Sequence, residues 1–308
     1  MIKLKRTIKQ AMAKLHKRSA INPADLLREQ ITVQVSEAGQ LPNRIGAAKK
    51  DYIQSLKVVG NLNGTDIKLL RKLENIALLD LAEANILTGG SYYIDTLYAT
   101  TENNTIGQYM FHNSKTLVLV NIPNTTEKIA PSAFANCEAL EEIDLGQSLA
   151  EIQEGAFYHC AALEKVHAPK NTLQTIGIHA FEGCKSLENI SFEEGLRNIG
   201  ESAFADCHSL SVVKLPSTLE VIGDSAFAKT ALDTIVIPRS VKKIGSLVFD
   251  GCSSLTSIYV EASRLPEVKE NAFQGVNKKC CTLYVPKGMK QEYWLSRGWD
   301  AFEHIEEF

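Results

Sequence analysis

Several things that would define other protein classes are missing from this 308-residue chain. No window approaches eighteen consecutive apolar residues, so no transmembrane helix is expected. The basic N-terminus lacks the apolar run that completes a signal peptide, so no secretory route is written in it. An excess of one charge is missing too: 33 Lys+Arg against 36 Asp+Glu gives −3, which argues against a protein that coats nucleic acid. Seven cysteines fall short of a disulfide-scaffold density, and an odd number cannot all pair internally. There is no G-x-S-x-G, H-E-x-x-H, Walker loop or G-x-G-x-x-G, so no catalytic residue, cofactor set or metal set is expected. Ser240 and Lys243 match S-x-x-K, but their counterparts in the repeat below are not Ser and Lys.

What is present is hydrophobic material, at 44% of residues, and internal repetition. At about 150 residues per domain the length suggests two domains, and the repetition overrides that. Phenylalanines recur as Phe111, Phe134, Phe157, Phe181, Phe204, Phe227, Phe249 and Phe273, at steps of 22 to 24 residues. Five residues before each stands Ile or Val (Ile106, Ile129, Ile152, Ile176, Ile199, Ile222, Ile244, Val268), and three after stands Cys137, Cys160, Cys184, Cys207 or Cys252 in five copies. An alternating apolar pair follows, as in Ile143/Leu145, Ile190/Phe192 and Ile258/Val260, which reads as a short strand with one buried face. Such a unit cannot bury its apolar positions alone, so the copies must stack, with Phe and Cys as interior columns. The strand of each unit then pairs in parallel with the next. The Ile-Gly-x-x-Ala-Phe half closes the coil by a tight turn or short helical piece. Gly107, Gly177, Gly200, Gly223 and Gly245 relieve the backbone there, through positive φ or close contact between coils.

Leu56/Val58 and Leu79/Leu81 extend the alternating pairs upstream, with Thr65 or Asp66 capping a helix through Ile67, Leu70 and Leu73. Leu283-Tyr284-Val285-Pro286 extends them downstream, giving ten rungs. Residues 87–105 break the period and are expected to form an inserted loop or hairpin.

The unit Ile-Gly-x-x-Ala-Phe-x-x-Cys-x-x-Leu-x-x-Ile-x-Ile-Pro, over residues 106–286, resembles the leucine-rich repeat of BspA-like proteins, a family of bacteroidal and treponemal surface proteins that also occurs in some protozoan parasites. Ser114, Thr230 and Val276 depart from it at the Cys position, and the copy near Ala231-Leu232 is one residue short. The resemblance implies a repeat solenoid of right-handed parallel β coils with short helical or 3-10 turns and capping segments. It also implies non-catalytic binding or adhesion to a host or neighbouring-cell protein, and an extracellular or cell-surface location. The expected organisation is a basic segment at 1–30, an N-terminal cap at 31–105, the repeat array at 106–286 and a C-terminal cap at 287–308 built around Tyr293, Trp294, Trp299 and Phe302.

Within the array the cysteines read as a buried thiol ladder, since none forms a C-x-x-C pair and His159 and His208 do not recur at a fixed offset. Of the adjacent Cys280 and Cys281, one is expected at the surface. The outward strand positions form two columns, starting at Leu119 and Asn121 and continuing as Glu142, Asp144, Lys165, His167, Asn189, Ser191, Val212, Lys214, Thr234, Val236, Ser257 and Tyr259. From Glu142 onward they form the candidate partner face. Their mixed chemistry disfavours a polyanion groove and suits a protein ligand. The alternatives are a structural spacer that displays its ends, and an enzyme whose site lies in the 87–105 insertion.

Seven of the 33 basic residues and none of the acids fall within residues 1–18, leaving 26 against 36 for the rest. Met1, Leu4, Ile8, Ala11, Met12 and Leu15 fall near one helical face, the pattern of an interfacial helix on anionic lipid. A solvated extension is the plainer reading.

Overall fold

A unit with one apolar edge gains burial only by stacking. The computed structural model, which describes residues 30–46, 50–269 and 271–308, shows the coils stacked in parallel. The alternating segments form one ladder. Ile31–Val35, Ser55–Leu62, Leu78–Asp80, Leu119–Asn121, Glu142–Asp144 and Lys165–His167 pair in that order. Asn189–Ser191 pairs with Val212–Lys214, and Thr234–Ile237 leads through Ser257–Val260 and Thr282–Val285 to His304–Glu307. These are twelve rungs rather than ten. Ile31–Val35 carries the alternating apolar positions without the Phe and Cys of the repeat, and His304–Glu307 turns only Ile305 inward; both complete the open edges of the rungs beside them, because an unpaired edge leaves backbone donors and acceptors unsatisfied.

The second ladder is built from two-residue strands at the Ile column. It runs without interruption from Thr105–Ile106 to Glu267–Val268, eight strands in all. The first ladder lapses twice, between His167 and Asn189 and between Lys214 and Thr234. Both lapses fall where the step departs from 23 residues, 24 from Val166 to Ile190 and 22 from Val213 to Ile235.

Between the ladders lies the core. The Phe rings stack nearly parallel from Phe111 to Phe273, with centroids 4.9 to 6.1 Å apart and interplanar angles of 4° to 15°. The five column cysteines are buried beside them, each Sγ 3.1 to 3.3 Å from the carbonyl oxygen of the Phe one coil earlier. They therefore act as second donors to carbonyls that already accept a bond within their own coil, such as Phe134 O from Cys137 N at 3.2 Å, as well as small apolar groups. Burial holds the Cys207 thiol up at about 12. Where Thr230 replaces Cys, its hydroxyl donates to Phe227 O at 2.9 Å within its own coil. Cys281 is buried and Cys280 exposed.

Turns, not short helices, close the coils of the 106–286 array. Those around Phe111 to Phe249 each carry two left-handed residues flanking the Phe, such as Ser202 (φ 51°) and Asp206 (φ 58°) around Phe204. This geometry points the Phe amide at the next coil, as in Phe204 N to Ala226 O at 2.8 Å. The glycines after the Ile column play a different part. Gly200 does not have positive φ; a Cβ there would stand 2.7 Å from the backbone carbon of Gly177, so close approach of the coils is what demands glycine.

The insertion is a hairpin, Gly89–Ile94 antiparallel to Ala99–Thr101, with Tyr92 and Tyr98 edge to face at its tip. Upstream of it the expected helix is Gly64–Leu70. Its cap is Asn63 rather than Thr65 or Asp66, and Asp66 is the N3 partner of a capping box. Asp66 is fully buried because it also accepts the Leu41 amide at 2.8 Å, which ties the helix to the short helix Leu41–Ile45. At the far end Tyr293, Trp299 and Phe302 close the core, the last two against Phe273 at 4.9 and 5.1 Å. Trp294 does not join them. It is 54% exposed because the helix Lys290–Leu295 turns only Tyr293 inward.

Candidate interaction face

Strand pleating sends alternate side chains out of the solenoid, and parallel register lines them up. The register partners are Glu142 with Lys165, Asp144 with His167, Asn189 with Val212, Ser191 with Lys214, Thr234 with Ser257 and Val236 with Tyr259. All twelve stand on the outward side of their strands. Asp144, Lys165, His167, Asn189, Ser191, Val212, Lys214, Thr234 and Val236 are exposed, and Glu142, Ser257 and Tyr259 are half-buried. The two ladder lapses divide them into three blocks. Leu119 and Asn121, at the start of the same columns, are buried, at 2% and 7% exposure, so the open face begins one rung later than the alternation indicates.

The first block is a charge cluster. Glu142 accepts from His167 Nε2 at 2.9 Å and from Lys165 Nζ at 3.5 Å. Partial burial pushes its carboxyl up, but the His167 hydrogen bond and the Lys165 charge outweigh this and leave it below the usual carboxylate range. The second block presents Val212, 58% exposed, beside Asn189, Ser191 and Lys214. The third is apolar and aromatic. Val236 is 43% exposed, and Tyr259 stacks on Tyr284 at 4.3 Å and 6°, with Phe308 edge-on to Tyr259 at 5.8 Å. Tyr284 and Phe308 lie beyond the residues the alternating pairs singled out. The Tyr-x-Pro ending at Tyr284 signals one of them, and nothing in the repeat signals the other.

The insertion borders a cleft of about 330 Å3 lined by Tyr93, Tyr98, Gln108, Lys128 and Gln153 among others. Three of its titratable groups serve structural bonds. Tyr93 donates to Gln108 O at 2.8 Å, with burial pushing its phenol up to about 12, and Lys128 pairs with Glu102 at 3.3 Å. Elsewhere His159 sits in a turn at φ 56°, and His208 Nδ1 lies 3.0 Å from Lys229 O. Among the described residues no three His, Cys, Asp or Glu side chains converge as a metal cage, and no helix is long and apolar enough to cross a membrane. The interfacial-helix reading of residues 1–18 lies outside the described residues.

No curated protein matches the chain. Among solved structures it is similar to a leucine-rich repeat protein from Bacteroides ovatus (23% identity, 68% of this chain and 66% of that one, TM-score 0.40). It is also similar to a leucine rich cell surface protein from Faecalibacterium prausnitzii (22% identity, 71% and 63%, TM-score 0.47) and to the leucine rich repeat protein of T. pallidum (30% identity, 48% and 69%, TM-score 0.43). The chain covers less than two thirds of the length of the first two. The family model for the BspA type leucine rich repeat region matches residues 104–231 and 174–291, in six copies. Matched over more than half its length, and carrying the Phe and Cys columns that the repeat specifies, the chain belongs to the BspA-type leucine-rich repeat family.

Proposed function

We propose that the chain is a non-catalytic recognition module that binds a protein partner, from a host or neighbouring cell, through the outward strand face from Glu142 to Tyr259, at a bacterial surface. The observation that carries this reading is that Val212 and Val236 stand exposed on regular strands of adjacent rungs. Apolar side chains set among polar ones on one face suit a binding face, which needs apolar contacts within a polar surround. A spacer that only displays its ends would leave this face without a role.

The test replaces Lys165, Val212, Lys214 and Val236 together by alanine. Tyr259 is left intact because its stack on Tyr284 contributes to folding, about 1 kcal/mol for such a pair. Immobilised chain is incubated with host-cell or neighbouring-cell extract. Proteins retained by the parent are expected to be lost from the variant at an unchanged melting temperature; equal retention would refute the placement.

A further inference from the structure

The Phe column is open at its first ring. Phe111 stacks on Phe134 alone among the described residues, because the preceding coil carries the helix Gly64–Leu70 where later coils carry a tight turn and its Phe. Between that helix and the first coil of the array lies a cleft of about 290 Å3. Leu70, Leu73, Ile76, Leu79 and Leu117 line it together with Phe111, and all six are buried, which gives it an apolar floor. The charged lining is mostly basic: Arg71, His112 and Lys115 against Glu74. Arg71 Nη1 donates to Tyr109 O at 2.6 Å and to Met110 O at 2.7 Å, which fixes the guanidinium in place. Among the described residues no acceptor pairs with its Nη2 or Nε. His112 Nδ1 is buried and has no hydrogen-bond partner among the described residues, a costly state for a polar ring atom. Burial, then the charges of Arg71 and Lys115, hold the His112 imidazole below the usual histidine value, so the field at the ring is positive. Lys115 is partly neutralised by Glu138 at 2.7 Å, which leaves Arg71 as the stronger attraction for an anion. Ser114 adds a hydroxyl to the lining, at the column position where most later coils carry Cys.

We propose that this cleft binds a small aromatic carboxylate, with the aryl ring on the apolar floor beside Phe111 and the carboxylate on Arg71 and His112. The aryl group adds a ring contact to a column that otherwise ends at Phe111. The carboxylate matches the fork of Nη2 and Nε on the guanidinium, and it gives His112 an acceptor when the ring carries its proton on Nδ1. Size agrees with a small occupant. At about 30 Å3 per water the cleft corresponds to about ten waters, so a ligand of roughly ten non-hydrogen atoms fills it. An inorganic anion would match the charge and make no use of the floor. The site shares no residue with the strand face from Glu142 to Tyr259, so it stands apart from the recognition reading.

The experiment titrates the isotopically labelled full chain with phenylacetate, its uncharged isostere phenylacetamide and the cation phenethylamine, and follows the NMR signals of His112 and Phe111. Phenylacetate is expected to shift both signals saturably, with a Kd of about 1 mM or tighter. The amide is expected to bind about tenfold more weakly, the loss usual for a hydrogen bond to a charged group. Arg71→Gln is expected to weaken phenylacetate by about the same factor and to leave the amide unchanged. Absence of a saturable shift by about 20 mM overturns the proposal, as does equal binding of acid and amide. Tighter binding of phenethylamine also overturns it, because it assigns the polar recognition to Glu74. Arg71 also holds two backbone carbonyls, so if Arg71→Gln lowers the melting temperature, the comparison of acid with amide on the parent chain decides.

Discussion

At the scale of the residue, the repeat positions are not interchangeable even when they share a residue type. Gly200 is required by the neighbouring coil, its absent Cβ being 2.7 Å from a backbone atom that cannot swing away. Gly200→Ala is therefore expected to destabilise the chain by about 1–3 kcal/mol, the usual cost of overpacking. Urea denaturation measures it, and a change within about 0.5 kcal/mol would mean that the coils part without cost. The requirement for glycine was legible in the sequence, but its cause was not, since positive φ and close approach leave the same mark on a repeat. The column cysteines are a similar case. Their burial follows from their period, whereas their bonds to the Phe carbonyls depend on the exact offset between coils.

The Phe column acts as one element, and its members differ by position in the stack. Phe181 has a ring on each side, Phe157 at 4.9 Å and Phe204 at 5.3 Å, while Phe111 stacks only on Phe134 and otherwise borders a cleft of about 290 Å3. Phe181→Ala is expected to cost about 3–5 kcal/mol. Phe111→Ala should cost about 1 kcal/mol less, because it breaks one ring contact instead of two. Denaturant midpoints at constant slope decide this, and equal losses would show that the column is not additive by neighbour. Period placed every ring in the column, but the cleft beside Phe111 was not legible. It arises because the preceding coil carries the helix Gly64–Leu70 where later coils carry a tight turn. Its cap at Asn63 was missed for a related reason: Asn63, Thr65 and Asp66 all have capping chemistry, and the tie from Asp66 to Leu41 selects among them.

For the whole molecule, one ladder is continuous and the other is broken twice. In a stack held by nearest-neighbour contacts, stability follows the weakest interfaces. Amides in 189–191 and 234–237, which open their blocks, are expected to exchange with solvent faster than those in 198–199 and 221–222, inside the unbroken ladder. Native-state hydrogen exchange reads this directly, and uniform protection across both ladders would contradict it. The sequence by itself determined the columns. Every unit of about 23 residues must bury the same apolar positions, and stacking is the only way they all can, so the Phe, Cys and Ile registers and the parallel rungs follow from period alone. Tertiary structure decided what period does not encode. It recruited Ile31–Val35 and His304–Glu307 as end rungs to satisfy open edges, left Trp294 in solvent, and dried Leu78 and Leu119 on a face whose later positions are wet. A side chain's direction is set by its own strand, but its burial is set by whatever packs over it, and that is specified elsewhere in the chain.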